Sequence, residues 1–198
     1  MNNKVCVQND SIKLLYANIE DKRFIYDMAH EDKEIYELMF GNEYEFVWED
    51  FEAEDDCYYT GNKNEDNYLL IEYDNQIVGS ISHSYNQTET PNFELDIWLR
   101  SKEYTGKGIG TKVLNILVEY LNKEYKIDTF IIRPWSKNLN AIKSYKKCGF
   151  VIDNNFNPYL YYGEDADEWG EGDYGDETVN MVKRTYQGNQ LPYEKLDI

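Results

Sequence analysis

The sequence predicts one α/β domain, with a central sheet of about six to seven strands flanked by helices. Three observations carry this. Ile109, Val113, Ile116, Leu117, Tyr120 and Leu121 recur at helical spacing directly after a glycine-rich turn. Two runs of strand-forming residues, 68–73 and 76–85, flank Asp74-Asn75, a hairpin turn pair. Between Phe93 and Phe150 the pattern switches from strand to helix to strand to helix to strand. The chain has 198 residues, enough for one full core, and shows no internal repeat or domain boundary.

The elements follow in order. Ile12 to Tyr16 reads as a first strand, and 19–29 and 32–40 as short helices. A helix or loop spans 48–59, and 61–67 is a polar turn. After the 68–85 hairpin, residues 88–92 turn into a strand over 93–99. The turn Thr105-Gly106-Lys107-Gly108-Ile109-Gly110-Thr111 then leads into the long helix. Asp128 to Arg133 reads as a strand stopped by Pro134. Asn138 caps a helix that runs to Lys147, and Gly149 ends it. Residues 150–155 and 178–183 read as the last strands, and the chain from 187 to 198 as a tail.

The glycine turn is a phosphate-binding candidate. Glycines let a backbone approach a ligand closely, and the first amides of a helix point outward without intrahelical partners. The helix dipole adds positive potential there. It is not a P-loop, because no Gly-Lys-Ser/Thr follows Gly106 at the required spacing. Nor do Gly106, Gly108 and Gly110 fit a dinucleotide fingerprint.

This succession resembles the GNAT acetyltransferase superfamily. Two motifs carry the resemblance. Thr105-Gly106-Lys107-Gly108-Ile109-Gly110 fits the family's Gln/Arg-x-x-Gly-x-Gly/Ala loop except that Thr105 stands where Gln or Arg is usual. Asn138, Ala141, Tyr145, Gly149 and Phe150 complete the family's Asn-x-x-Ala-x-x-x-Tyr-x-x-x-Gly-Phe run. The two motifs cover about a quarter of the chain. Within the superfamily, Asp96 on the strand before the loop and the Asn-Leu-x-Ala-Ile run are similar to those of aminoglycoside 6'-N-acetyltransferases. The resemblance implies a mixed, mostly antiparallel sheet and acetyl-coenzyme A as co-substrate, with no metal. It implies that the amides of Gly106, Lys107, Gly108, Ile109, Gly110 and Thr111 hold a pyrophosphate, with Thr105 alongside. An amide near Trp98 or Leu99 would polarise the thioester carbonyl, and Asn138 would contact the pantetheine arm. Tyr145 would protonate the sulfur. Asp96 would take a proton from the acceptor ammonium or anchor that cation, with Glu94 on the same strand face sharing it. The family's final strand often pairs between subunits, which leaves a homodimer open.

Charge is unevenly placed. The formal net charge is -18, which argues against a nucleic-acid partner. Yet residues 101–147 hold 10 Lys/Arg against 4 Asp/Glu, where the resemblance places an anionic co-substrate. Two stretches hold acids and no bases: eight acids in 43–56 and eight in 164–177. Aromatics are interleaved there, Tyr44, Phe46, Trp48 and Phe51 in the first and Trp169 and Tyr174 in the second. Carboxylates beside aromatic faces suit protonated amines, so Trp48, Glu49 and Asp173 join Glu94 and Asp96 as acceptor-side candidates. A solvated, solubilising surface is the other reading of those acids.

No apolar run approaches a membrane span, and no secretory leader precedes the first strand. Cys6, Cys57 and Cys148 lack metal spacing and read as reduced thiols in a cytoplasm. His30 and His83 read as structural. The expectation is therefore a cytoplasmic N-acetyltransferase acting on a cationic small molecule, aminoglycosides first. Polyamine or protein N-terminal acetylation, and a non-catalytic ligand-binding module, are the alternatives.

Overall fold

The computed structural model describes residues 3–41, 45–53, 56–62 and 66–185. Glu43, Tyr44, Glu54 and Asp55 of the first acidic run, part of the polar turn at 63–65, and the expected tail lie outside them. Among the described residues eight strands form one sheet: β1 (Val5–Gln8), β2 (Ile12–Tyr16), β3 (Asn67–Tyr73), β4 (Gln76–Asn86), β5 (Asn92–Leu99), β6 (Thr129–Ile132), β7 (Val151–Ile152) and β8 (Met181–Arg184). Their order is β1-β2-β3-β4-β5-β6-β8-β7. Every neighbouring pair is antiparallel except β5 and β6, which run parallel.

The helices are α1 (Lys22–Ala29), α2 (Lys33–Phe40), α3 (Trp48–Ala53), α4 (Ile109–Tyr125), α5 (Leu139–Lys147), α6 (Pro158–Tyr162) and α7 (Ala166–Trp169). None among the described residues is long and apolar enough to cross a membrane. Strand alternation sorts the core into two faces. Leu14, Leu69, Ile71, Phe93 and Leu95 pack with α4 and α5, where Ile109, Val113, Leu114, Leu117, Val118 and Leu121 are buried. Leu15, Leu70 and Trp98 point to the other face, against α1 and Phe51 of α3. Each fully buried aliphatic side chain contributes about 2 kcal/mol.

Local chemistry explains the boundaries. Asp74 and Asn75 both have positive φ, 51° and 60°, the conformation of a tight two-residue hairpin. The Asp32 carboxylate accepts the Glu34 and Ile35 amides and starts α2. Asn138 Oδ1 accepts the Ala141 N–H at 3.1 Å and starts α5.

Three boundaries differ from the sequence reading. β1 is an added edge strand, so the sheet has eight strands. The strand expected over 150–155 is only Val151–Ile152, because Asp153 accepts the Asn155 N–H and turns the chain. The expected 178–183 strand begins at Met181, with Thr178 in an isolated bridge to Trp135. The connection between β7 and β8 is also not plain loop. It holds α6 and α7, and the buried Asn92 amide ties α6 to the sheet by donating to the Tyr161 carbonyl at 2.9 Å.

β5 and β6 pair only from Asn92 to Glu94, opposite Thr129 to Ile131. Beyond that point they part. The Val179 N–H donates to the Pro134 carbonyl at 2.9 Å, and the Ser136 N–H to the Glu177 carbonyl at 2.8 Å, so the chain leaving β6 follows the approach to β8 instead of β5. Gly79 fixes β4 against the far end of β5. A Cβ at this position would lie 2.2 Å from the Trp98 carbonyl oxygen and 2.9 Å from Leu99 Cα. We therefore expect Gly79→Ala to destabilise the protein by about 2 kcal/mol or more in urea unfolding. A loss below about 0.5 kcal/mol would mean that β4 and β5 separate readily there.

Candidate active site

The parting of β5 and β6 opens a cavity of about 430 Å³. β5 contributes Asp96 and Ile97, and the chain leaving β6 contributes Ile132, Arg133, Pro134 and Trp135. Asn138 and Tyr145 enter from α5, Met39 and Phe40 from α2, and Phe46, Phe51 and Tyr68 from the opposite wall. Asp173 and Tyr174 close one side, and the Tyr174 hydroxyl donates to the Met39 carbonyl across the opening.

At the glycine turn, Gly106 and Gly108 have φ of 71° and 79°, so side chains there would be strained. A Cβ at either would meet nothing within 4 Å, which leaves open space in front of the turn. The first helical bond of α4 runs from the Lys112 N–H to the Gly108 carbonyl at 3.0 Å, so the amides of Ile109, Gly110 and Thr111 precede the ladder. Thr111 and Ser144 hydroxyls meet at 3.0 Å and lock this end of α4 to α5. These features fit a pyrophosphate. Thr105 departs from the family pattern in a definite way: its hydroxyl donates to the Lys102 carbonyl at 2.9 Å and braces its own turn.

Strand alternation settles which amide points into the opening. Arg100 N–H donates to the Val78 carbonyl on β4 at 2.9 Å. Trp98, two residues earlier, therefore also points to β4, while Leu99 and Ile97 turn their amides toward the splay. The Trp98 side chain is buried in the core on the α1 side.

Asp96 is exposed to the water of the cavity it lines, while the atoms crowded around it still desolvate the carboxyl. Burial pushes its pKa up to about 7, Asp173 and Glu94 push the same way, and the Ile97 N–H opposes them. Tyr145 is buried in the same cavity, and desolvation with the nearby Asp96 charge raises its pKa, so it keeps its proton. Asn138 lines the cavity with its Oδ1 committed to the helix cap, which leaves its Nδ2 as the group to offer.

Other expected residues are placed differently. Glu94 lies near Asp96 on the same strand, but its carboxylate is already paired: Arg133 Nε donates to it at 2.7 Å. Trp48 and Glu49 are not on the cavity wall. Trp48 packs on Tyr26, with the Arg23 guanidinium 4.8 Å from its ring, and Glu49 is exposed, while their neighbours Phe46 and Phe51 line the cavity. Asp173 is on the wall as expected. Both ring nitrogens of His30 contact carbonyl oxygens, of Tyr26 and Phe46. His83 is buried, and desolvation lowers its pKa to about 4, so it is a neutral core residue. None of the three cysteines is in a disulfide, and Cys148 is a buried packing residue. No cluster of metal-ligating side chains occurs among the described residues. The sequence reading missed Arg133 as a site residue. A base after the apolar run Phe130-Ile131-Ile132 and directly before Pro134 was the available signal.

Comparison with known proteins bears on this geometry. The family model described as an acetyltransferase (GNAT) domain matches residues 13–151. The spermine/spermidine N(1)-acetyltransferase of Bacillus subtilis is 28% identical over 86 residues, 41% of this chain. That match spans 57% of the relative, just over half its length. The aminoglycoside N(6')-acetyltransferase type 1 of Klebsiella pneumoniae is 38% identical over 56 residues, 28% of either chain. A solved structure of AAC(6')-Ib in complex with ribostamycin and coenzyme A superposes with a TM-score of 0.68 at 19% identity, covering 88% of this chain and 94% of that one.

The Asp96 environment has a consequence for stability. Its folded pKa of about 7 lies above the ordinary 3.8, so between these values the folded protein binds more protons than the unfolded one. Stability from this group therefore falls as pH rises from about 4 to about 7 and stays lower above that. Asn is neutral throughout. We expect Asp96→Asn to melt at a higher temperature than wild type at pH 7.5, by a larger margin than at pH 4.5, in calorimetric scans. An equal or reversed margin would show that Asp96 ionises as easily as a surface carboxylate.

Proposed function

The chain belongs to the GNAT acetyltransferase family, and we propose that it transfers an acetyl group from acetyl-coenzyme A to an amine of a cationic small molecule, with the 6'-amino group of an aminoglycoside as the leading acceptor. The observation that carries this reading is the pairing of Asp96 and Tyr145 in one cavity at the β5–β6 splay, with Asp173 on its wall. One group is poised near neutrality to take a proton, and the other holds one to give.

Acetyl-coenzyme A supplies the acetyl group as a thioester. The amides of Gly106 to Thr111 hold its pyrophosphate at the start of α4. Asn138 presents its Nδ2 to the pantetheine arm. The Leu99 N–H, turned into the splay, gives a fixed donor to an oxygen that gains charge during acyl transfer. Asp96 removes the proton from the acceptor ammonium, directly or through water, and so produces a nucleophilic amine. Tyr145 donates its hydroxyl proton to the departing sulfur. Asp173 adds negative potential that attracts a polycation, and the rings of Phe46, Tyr68 and Tyr174 offer faces to an amino sugar.

A polyamine acceptor is the second reading. It is supported by the longer alignment to the spermine/spermidine relative, 86 residues against 56 for the aminoglycoside relative. Both readings use the same proton path and differ only in the shape of the cation.

A thiol-release assay with acetyl-coenzyme A, kanamycin, tobramycin, spermidine and N-terminal peptides separates them. We expect the highest kcat/KM with the aminoglycosides. Turnover confined to spermidine would move the assignment to polyamines, and binding of both ligands without thiol release would make the protein a sensing module. With the preferred acceptor, Asp96→Asn should lower kcat/KM at least tenfold. Tyr145→Phe should lower kcat while the Kd for acetyl-coenzyme A holds. Wild-type rates in either variant would remove that residue from the proton path.

A further inference from the structure

Arg133 is out of place in a cleft for cations. It is the one base lining the cavity among the described residues, where Asp96 and Asp173 supply the acids. Its side chain is only 8% exposed. Nε donates to Glu94 Oε1 at 2.7 Å, and Nη1 donates to the Trp169 carbonyl at 2.6 Å. The guanidinium also lies over the Tyr162 ring, 4.8 Å from its centroid. One side chain thus grips three elements: β5, the last residue of α7, and α6. Gly172 shows how closely the segment after α7 passes. A Cβ there would come within 3.1 Å of Arg133 Nη1 and 2.8 Å of Thr178 Cγ2, at a φ of 72° that already favours glycine.

We propose that Arg133 is a positioning residue for the acceptor side: it takes up the charge of Glu94 and pins the segment from Trp169 to Asp173 to the end of β6, so that Asp96 and Asp173 are the carboxylates presented to the acceptor. This rests on the acetyl-transfer reading of the cleft. A planar fork is required for the role, because a single ammonium cannot pair with Glu94, reach the Trp169 carbonyl and lie flat on Tyr162 together.

The charged and titratable groups around Asp96 make the consequence definite. Glu94 lies on its own strand, Asp173 and Tyr174 come from the segment after α7, Tyr145 from α5, and Arg133 from the end of β6. Removing the Arg133 charge leaves Glu94 uncompensated beside Asp96. The proton affinity of Asp96 then rises.

The test is a carbon-13 NMR titration of the side-chain carboxylates in the full-length protein, with Asp96→Asn supplying the assignment. Arg133→Gln should move the Asp96 titration upward by at least about half a pH unit. Glu94→Gln, which leaves the guanidinium without its carboxylate, should move it downward. Arg133→Lys should keep it near the wild-type position, because the charge remains. In steady-state assays Arg133→Lys should raise the acceptor KM at least fivefold and lower kcat by less, because the segment carrying Asp173 is released. Thermal melts confirm that each variant is folded, and Glu94→Gln decides the matter if Arg133→Gln does not fold. An Asp96 titration that stays put in both Arg133→Gln and Glu94→Gln would overturn the proposal, as would a wild-type acceptor KM in Arg133→Lys. The titration needs no turnover. A protein that acetylates nothing yet shows these shifts would lose the acetyl-transfer reading and keep the clamp.

Discussion

Everything at the candidate site depends on two parallel strands that stop pairing after three residues. β5 and β6 share a register only from Asn92 to Glu94. A parallel sheet normally continues, because unpaired backbone groups in a protein interior are costly. Here the chain leaving β6 finds other partners at once. Pro134 and Ser136 bond to Val179 and Glu177, and Trp135 bridges to Thr178. β5 is left with amides at Ile97 and Leu99 aimed at an opening rather than at a strand. Those donors are what an acyl-transfer site needs, and the side chains of Asp96, Tyr145 and Arg133 surround the same gap.

The gap also concentrates charge that does not favour folding. Desolvation raises the proton affinity of Asp96, and the nearby charges of Asp173 and Glu94 raise it further. A core built only for stability would replace them. The arrangement instead keeps one carboxylate near neutrality and spends an almost fully buried arginine on another. Such conflicts between local energetics and the rest of the fold tend to mark functional sites. Of the 20 Lys/Arg in the chain, ten lie between residues 101 and 147, the stretch that holds the glycine turn and α5.

Local signals fixed much of the fold from sequence. The apolar period of α4, the Asp74-Asn75 turn and the Asn138 cap each depend on neighbours within a few residues, and each appears as read. The two α6–α7 helices were not legible. They have five and four residues, too short to show a period, and are held by the distant Asn92, the Arg133 fork and an Asn157 cap before Pro158. β1 is an edge strand whose pattern of burial is weak. At the site, Asp96, Asp173 and Tyr145 could be named from motif and charge. Trp48 and Glu49 could not be told from Phe46 and Phe51, because a mixed acidic and aromatic run does not reveal which side chain faces inward. Arg133 was hidden for a related reason. Its partners lie 39 and 36 residues away in sequence, and only the fold brings them together.

Thr105 bears on how the phosphate turn works. A long polar side chain at that position could reach a phosphate, and a threonine cannot reach as far. In this chain its hydroxyl is bonded to Lys102, and Ser101 accepts the Glu103 N–H one turn earlier. The turn is therefore held by its own short-range bonds before any ligand arrives. Gly106 and Gly108 then supply the left-handed backbone that swings successive amides outward, and the Thr111–Ser144 contact fixes the helix behind them. A cradle built this way depends on backbone geometry more than on a reaching side chain. In the proposed reading the anion is met by backbone amides, which every residue but proline possesses. A change of side chain at one motif position then leaves the other amides of the turn in place.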